Sequence, residues 1–211
     1  ARKNSKSLPF KNRFLFKHTA EFLKNNKLFS KVYVNSDDLH LKDLAKKYGF
    51  NFFNRQKKLA RDTTCIKQVF VDMNNKLKFS SNTFIWVFYI PLVYKNNNDF
   101  KRAIKITEKK KLKSICSFKE AETHPMSCWY IEENKPSQFI KNDLCRRQDF
   151  TKAYSHHHYI CGFNVKSLKK LNNELIFKNT YPILLNRNTS KKLIEVDTPE
   201  ELKKFKKMNK K

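Results

Sequence analysis

Residues 83–90, Thr-Phe-Ile-Trp-Val-Phe-Tyr-Ile, make the strongest apolar run in the chain. A run of strand length with no polar alternation fits a strand covered on both faces, so it is expected as the central strand of a sheet. The segments around it alternate. Residues 31–35 and 50–53 read as short strands, and between them a helix over 39–48 is opened by Ser36, Asp37 and Asp38 and closed by Gly49. Ile66, Val69, Phe70 and Met73 recur at helical spacing behind an Asp62-Thr63-Thr64 cap. A helix over 99–110 precedes a strand at 114–118. Strand and helix in alternation predict an α/β fold, a Rossmann-like, mostly parallel sheet with helices on both faces. Ligands of such sheets bind beyond the carboxyl ends of the strands. That sets Ser36, Asp37, Asp38, Pro91 and the opening residues along one edge.

The second half is less regular. From 125 to 158 the pattern breaks into short strands and polar links, an excursion from the main sheet. Strand character returns at 159–165, a helix is expected over 167–173, and short strands at 182–185 and 193–196. Thr198 as N-cap, Pro199 at the first position and Glu200 and Glu201 in the first turn open a last helix, whose Lys-rich end reads as a solvated, fraying tail.

With 39% hydrophobic residues and 19 Phe in 211 residues, the chain has enough apolar material for one sizeable core, so a single globular domain over 1–211 is expected rather than a disordered basic tail. A formal net charge of +27 ordinarily points to nucleic acid. Here the Lys are scattered and accompanied by many Asn and Phe, a pattern that an AT-rich genome imposes without functional demand. Nucleic-acid binding also needs clustered basic residues among exposed aromatics, whereas these aromatics fall at core positions, so nucleic acid is not the expected partner. The same field attracts a nucleoside triphosphate and an anionic sugar. Cys65, Cys116, Cys128, Cys145 and Cys161 are odd in number and form no CxxC pair, which fits a reducing, cytoplasmic setting. No apolar run reaches transmembrane length and no signal-peptide pattern is seen, so no membrane partner is expected.

Three constellations carry possible chemistry. Residues 1–12 set Arg2, Lys6 and Lys11 among Asn4, Ser5, Ser7 and Asn12, ahead of a helix over 12–25 with Phe14, Phe16, Phe22 and Leu23 on its apolar side. Cations and short polar groups before a helix N-terminus suit phosphate; a charged, frayed terminus is the other reading. Glu195 and Asp197 alternate onto one face of a strand, where two carboxylates can share a hard cation, with an edge strand and helix cap as the alternative. His156, His157 and His158 are consecutive, and alternation keeps all three from converging on one ion.

The opening segment, Ala-Arg-Lys-Asn-Ser-Lys-Ser-Leu-Pro-Phe-Lys-Asn, resembles the motif that opens the acylneuraminate cytidylyltransferases, usually Ala-Arg-x-Gly-Ser-Lys-x-(Ile/Leu)-Pro-x-Lys-Asn, with Asn4 at a glycine position. In the family a buried strand precedes this loop, and such a strand is expected before Ala1. Residues 32–62, with VYVNSDD, AKKYG, Arg55 and LARD, are similar in order and spacing to a second block of that family. Pro91-Leu92 with Asp99 resembles a third, although Phe88, Tyr89 and Ile90 replace polar residues and Val93 stands at an Arg position. Arg146, Arg147, Gln148, Asp149 and Tyr154 match a fourth, with Thr151 in place of Pro and His157 in place of Asn. Two Asp at the spacing of Glu195 and Asp197 close the family pattern.

The resemblance implies a homodimer, with 125–158 as the arm exchanged between subunits, and transfer of CMP from CTP to a nine-carbon sugar acid of the sialic, legionaminic or pseudaminic type. It implies catalytic Arg2, Lys6 and Lys11 on the phosphates. It extends the nucleotide set to Asn4, Ser5, Asn12 and Arg55, with residues 62–64 near the nucleotide. Arg147, Gln148 and Tyr154 fall towards the sugar acid or the partner subunit. Magnesium is implied at Asp197, shared with Glu195. A catalytically weak, nucleotide-binding homologue and a basic nucleic-acid-binding protein are the rival classes.

Overall fold

The computed structural model describes residues 9–144 and 146–208, with the side chains at 9–14, 147, 206 and 208 outside that description. Helix α1 (Pro9–Asn26) leads into strand β1 (Tyr33–Ser36), helix α2 (His40–Lys47) and strand β2 (Asn51–Asn54). β1 and β2 pair in parallel, Tyr33 opposite Asn51 and Ser36 opposite Asn54. Asp38 Oδ1 accepts the His40 N–H at 2.9 Å in a turn that leads into α2, whose N-cap is Leu39 without a side-chain cap bond, while Gly49 at φ +77° closes the helix in the left-handed region that glycine enters freely.

The next helix, α3 (Ile66–Leu77), starts at the first residue of its apolar repeat, but its cap is not the expected Asp62-Thr63-Thr64 segment. Its N-cap is Cys65, whose N–H donates to Gln68 Oε1 at 3.0 Å. Asp62 is therefore not the N-cap. The intervening Thr64 instead gives its hydroxyl to the Lys58 carbonyl at 3.3 Å, and residues 62–64 form a turn before the helix.

Strand β3 (Phe84–Trp86), helix α4 (Asn97–Lys110), strand β4 (Ser114–Glu120), strand β7 (Tyr154–Asn164) and strand β8 (Tyr181–Leu184) complete the main architecture, with strands β5 (Trp129–Glu132) and β6 (Lys135–Gln138) forming a separate hairpin. The four-stranded sheet runs β3-β7-β4-β8. The run at 83–90 thus supplies only a three-residue strand, placed at the edge of that sheet rather than its centre. The centre is taken by β7 and β4, whose residues 159–163 and 114–117 are buried. β7 returns from the excursion and inserts antiparallel to both neighbours, while β4 and β8 are parallel. The mostly parallel expectation meets a mixed sheet for that reason.

Gly162 of β7 lies opposite Trp86 of β3. A Cβ there would lie 2.7 Å from the Phe84 ring and 3.0 Å from the Ile85 carbonyl oxygen, so no side chain fits. The β4–β7 register slips between Cys116 and Ser117, which pair with Cys161 and His157. Ser117 Oγ fills the bulge, donating to the His157 carbonyl at 2.5 Å and accepting the Ile160 N–H at 2.9 Å.

Around the sheet, α1 bridges two buried clusters. Phe16 and Ala20 pack with Val34, Leu41 and Ala45, whereas Leu15 packs with Val93, Val196 and Phe205. Phe205 belongs to helix α6 (Pro199–Met208), which follows the short helix α5 (Arg187–Lys192). The strand expected at 193–196 is reduced to one bridge, Leu92 opposite Glu195. The helix expected at 167–173 is a 3-10 segment, Val165–Lys170.

Candidate active site

Residues at the end of β1 hold the first element of the site. Arg55 follows β2, and its backbone N–H donates to the Ser36 carbonyl at 2.9 Å. Its Nε donates to Asn35 Oδ1 at 2.8 Å and its Nη2 to the Asn35 carbonyl at 2.7 Å. Burial lowers the guanidinium pKa from its ordinary value, opposed by the Asp37 carboxylate, yet an arginine keeps its charge under these conditions. The result is a fixed cation at the carboxyl end of a parallel strand pair. Asn35 orients that guanidinium, and its only signal in the sequence is its place one residue before Ser36.

The second element joins two distant segments. Leu92 bridges Glu195, and the Val196 N–H donates to the Pro91 carbonyl at 3.0 Å, so the turn at Pro91 lies directly beside the closing carboxylates. Val93 and Val196, both wholly buried, lock that junction against Leu15 of α1. Glu195 has its carboxyl pKa raised, first by desolvation and then by the neighbouring Asp197 and Glu201 carboxylates. Glu201 is committed to the helix cap, its Oε2 accepting the N–H groups of Asp197 at 2.8 Å and Thr198 at 2.7 Å, while Thr198 Oγ1 accepts the Glu201 N–H at 3.2 Å. Asp197 remains solvent-exposed beside it.

Other expected residues divide by location. Arg2, Asn4, Ser5 and Lys6 lie outside the described residues. The backbones of Lys11 and Asn12 fall in the first turn of α1, which begins at Pro9 rather than Asn12, and their side chains are outside the description. Gln148 is exposed in a 3-10 turn, Arg147–Asp149, where Arg147 contributes its backbone. Arg146 is tied down locally by a two-point contact with Asp149, both distances 3.0 Å. Tyr154 starts β7 with its side chain 42% exposed, so it is available to a ligand or another chain. Asp99 proves to be a brace: its Oδ2 accepts the Tyr159 hydroxyl at 2.8 Å, and that hydroxyl accepts the Asn96 N–H at 3.1 Å.

Lys95, which the sequence did not single out, lies near the Pro91 junction and donates to the Leu92 carbonyl. Burial pushes its ammonium pKa down to about 7. A concavity of about 780 Å³ opens elsewhere, lined by residues that include Lys170, Asn172, Phe177 and Lys178 and none of the expected site residues. Residues 1–8, which include expected nucleotide-binding residues, lie outside the described residues.

Among known proteins, a 60-residue stretch of this chain is 37% identical to "Pseudaminic acid cytidylyltransferase and UDP-2,4-diacetamido-2,4,6-trideoxy-beta-L-altropyranose hydrolase" of Helicobacter pylori, covering 28% of this chain and 12% of that relative's length. The fold is similar to the structure of CMP:2-keto-3-deoxy-manno-octonic acid synthetase complexed with CTP, with a TM-score of 0.59 and 11% identity over 92% of this chain and 86% of that one. At that identity the likeness speaks for the fold, and it agrees with the Rossmann-like layout read from strand and helix alternation. A family model described as cytidylyltransferase matches residues 1–208, from the opening loop through the closing carboxylates and α6. With the match running through every segment that builds the site, the chain belongs to the cytidylyltransferase family.

Proposed function

We propose that this chain transfers the cytidylyl group of CTP to a nine-carbon sugar acid, with a pseudaminic-type acid as first candidate and sialic and legionaminic acids next. The observation that carries the reading is the Leu92–Glu195 bridge, which joins the Pro91 turn to two carboxylates inside a chain matched almost throughout by the family. The relative's pseudaminic name favours the first candidate among the three.

In the reaction, the anomeric hydroxyl oxygen of the sugar acid attacks the α-phosphorus. A new P–O bond forms, the bond from the α-phosphorus to the bridging oxygen breaks, pyrophosphate leaves with that electron pair, and the hydroxyl proton passes to solvent. Little covalent work falls to the protein, so its part is positioning and charge neutralisation. Arg2, Lys6 and Lys11 are assigned to the phosphates, with Asn4, Ser5 and Asn12 lining the loop and Arg55 oriented by Asn35. Arg147, Gln148 and Tyr154 are assigned to the sugar acid or to the subunit interface.

The donor set at 195–197 fits magnesium. Desolvation raises the Glu195 pKa and the neighbouring Asp197 carboxylate adds to it, and the two carboxylates supply oxygen ligands only, as a hard ion that also takes phosphate oxygens prefers. Magnesium bound by Asp197 and shared with Glu195 would supply charge neutralisation at the departing phosphates.

We further read residues 1–211 as a single nucleotidyltransferase domain working as a homodimer through the 125–158 arm. The arm carries Trp129, Tyr130, Ile131, Phe139, Ile140 and Leu144, all large apolar side chains more than 40% exposed, a concentration that a covering partner explains. A cytoplasmic setting is supported by Cys116 and Cys161, paired across β4 and β7 and both free thiols. Among the described residues no helix is long and apolar enough to cross a membrane.

One observation favours a second reading, a homologue that binds nucleotide with little turnover. Val93, at the family's Arg position, is fully buried among Leu15, Val196 and Phe205 and offers no charge to substrate. Pyrophosphate release that needs CTP, magnesium and sugar acid together supports transfer; stabilisation by CTP without release supports the second reading.

A further inference from the structure

We propose that His156, His158 and Glu174 form a zinc site, distinct from the carboxylates at 195 and 197, which fastens β7 to the loop at residues 171–176 and leaves one coordination position open to solvent. His156 Nε2 lies 3.3 Å from Glu174 Oε2 and His158 Nε2 lies 3.8 Å from the same oxygen. The three ligand atoms all fall within 4.8 Å of one another, and they are the one such group of three among the described residues. Bonds of about 2.0–2.1 Å in a tetrahedral site put neighbouring ligand atoms about 3.3 Å apart, so this triangle needs only small side-chain rotations to close on an ion.

Each ligand is held by its surroundings. The bulge at Ser117 turns His157 away: its Nδ1 accepts the Tyr159 N–H at 3.2 Å and its carbonyl accepts the Ser117 hydroxyl. His156 and His158, two positions apart, are left on the same side, with ring centroids 5.0 Å apart. The His158 ring stacks on Tyr89 at 4.8 Å with an interplanar angle of 26°, which fixes its plane. Glu174 sits on a tightly bonded loop. Asn172 Oδ1 accepts the N–H groups of Glu174 at 3.0 Å and Ile176 at 2.9 Å, the Asn172 N–H donates to the Ile176 carbonyl at 2.8 Å, and the side chain of Leu175 is wholly buried. The carboxylate is thus presented outward from a rigid turn.

The donor chemistry selects the ion. Two imidazoles and one carboxylate suit Zn²⁺ and other late divalent metals, whereas magnesium prefers oxygen ligands alone. Three protein ligands leave a fourth position for water. An ion pair between His156 and Glu174, with His158 held at the same residue by a hydrogen bond, is the simpler account of the contact, and it predicts that no zinc is retained. The His158 Nε2 also lies 3.1 Å from the Glu174 carbonyl, a contact that zinc would replace.

The test uses the full chain, stripped with chelator and titrated with Zn²⁺ alone. One equivalent should be retained after dialysis, with a higher melting temperature, and the affinity should fall more than about 100-fold in H156Q and in E174Q, beyond the 10–100-fold that second-layer changes produce. Both positions are solvent-exposed, and melting in chelator shows whether either variant folds. Co²⁺ in place of zinc should give the intense visible bands of a tetrahedral site. Retention unchanged in both variants, no retained zinc, or a thiolate-to-cobalt charge-transfer band that puts the ion on a cysteine would each overturn the proposal.

Discussion

Arg55 and Asn35 form a two-point contact, Nε to the side-chain oxygen at 2.8 Å and Nη2 to the backbone carbonyl at 2.7 Å, that fixes a guanidinium at the end of β1. Only a planar fork makes both bonds at once. Arg55→Lys is therefore expected to raise KM for CTP about tenfold or more, since losing a hydrogen bond from a charged group costs about 1.5–3 kcal/mol. Asn35→Ala leaves the backbone acceptor in place, so its effect on KM should be smaller. Steady-state kinetics on both variants check the order, and equal effects would remove the positioning role of Asn35.

Asp197 and Glu195 carry unequal parts of the proposed magnesium site. Both residues are solvent-exposed, and Glu195 is the one whose carboxyl pKa is raised, by desolvation first and then by the Asp197 and Glu201 carboxylates. Asp197→Asn should lower kcat by about 100-fold or more, in the range seen when one group that stabilises transition-state charge is removed. Glu195→Gln should act mainly by raising the magnesium concentration needed for half-maximal rate. A magnesium titration of each variant separates the two, and undiminished turnover in Asp197→Asn removes the metal assignment.

Replacing Ile131 and Phe139 together by Asp puts two charges onto the exposed apolar arm, where they are 67% exposed in the single chain and meet no steric obstacle. Sedimentation equilibrium should give a dimer for the natural sequence and a monomer for the variant, with the melting of the monomer little changed. A natural chain that is monomeric at tens of micromolar contradicts the arm's assigned role.

Lys95 gives a pH signature. Its folded pKa, about 7, lies below the ordinary lysine value of 10.5, so between those limits the unfolded chain binds more protons than the folded one. Stability must then rise with pH across that window, and the burial cost is fully present below about pH 7. His18 is the titratable group that feels its charge: burial lowers the His18 pKa, the Lys95 ammonium lowers it further, and Glu21 opposes both. Urea unfolding at pH 7 and pH 9.5 should show a gain for the natural sequence that Lys95→Met largely lacks. An equal gain in both places the pH dependence on other groups.

Much of the fold is readable from local chemistry. Asp38 and Gly49 bound α2, Thr198 and Pro199 open α6, and both helices stand where those residues put them. Local signals fail where distant pairing decides. Residues 83–90 are apolar throughout, yet β7, arriving from some 70 positions later, takes the centre of the sheet and leaves β3 at its edge. The strand expected at 193–196 has a single partner residue, Leu92, and so never becomes more than a bridge. In the site, Arg55, Glu195 and Asp197 are legible as charged residues at segment ends. Asn35 and Glu174 are not, because each is defined by what a remote residue brings to it. The same holds for the histidines: alternation separates His157 from its neighbours as the sequence implies, but the carboxylate that His156 and His158 share comes from a loop outside β7.

The central claim is the identity of the product, and mass spectrometry of a reaction holding CTP, magnesium and one sugar acid tests it directly. The proposed reaction predicts a CMP–sugar ester and an equal amount of pyrophosphate with at least one of the pseudaminic, sialic and legionaminic acids, and neither product when any component is omitted. CTP left intact with all three acids, or cleaved to CDP or CMP with no sugar attached, would contradict it.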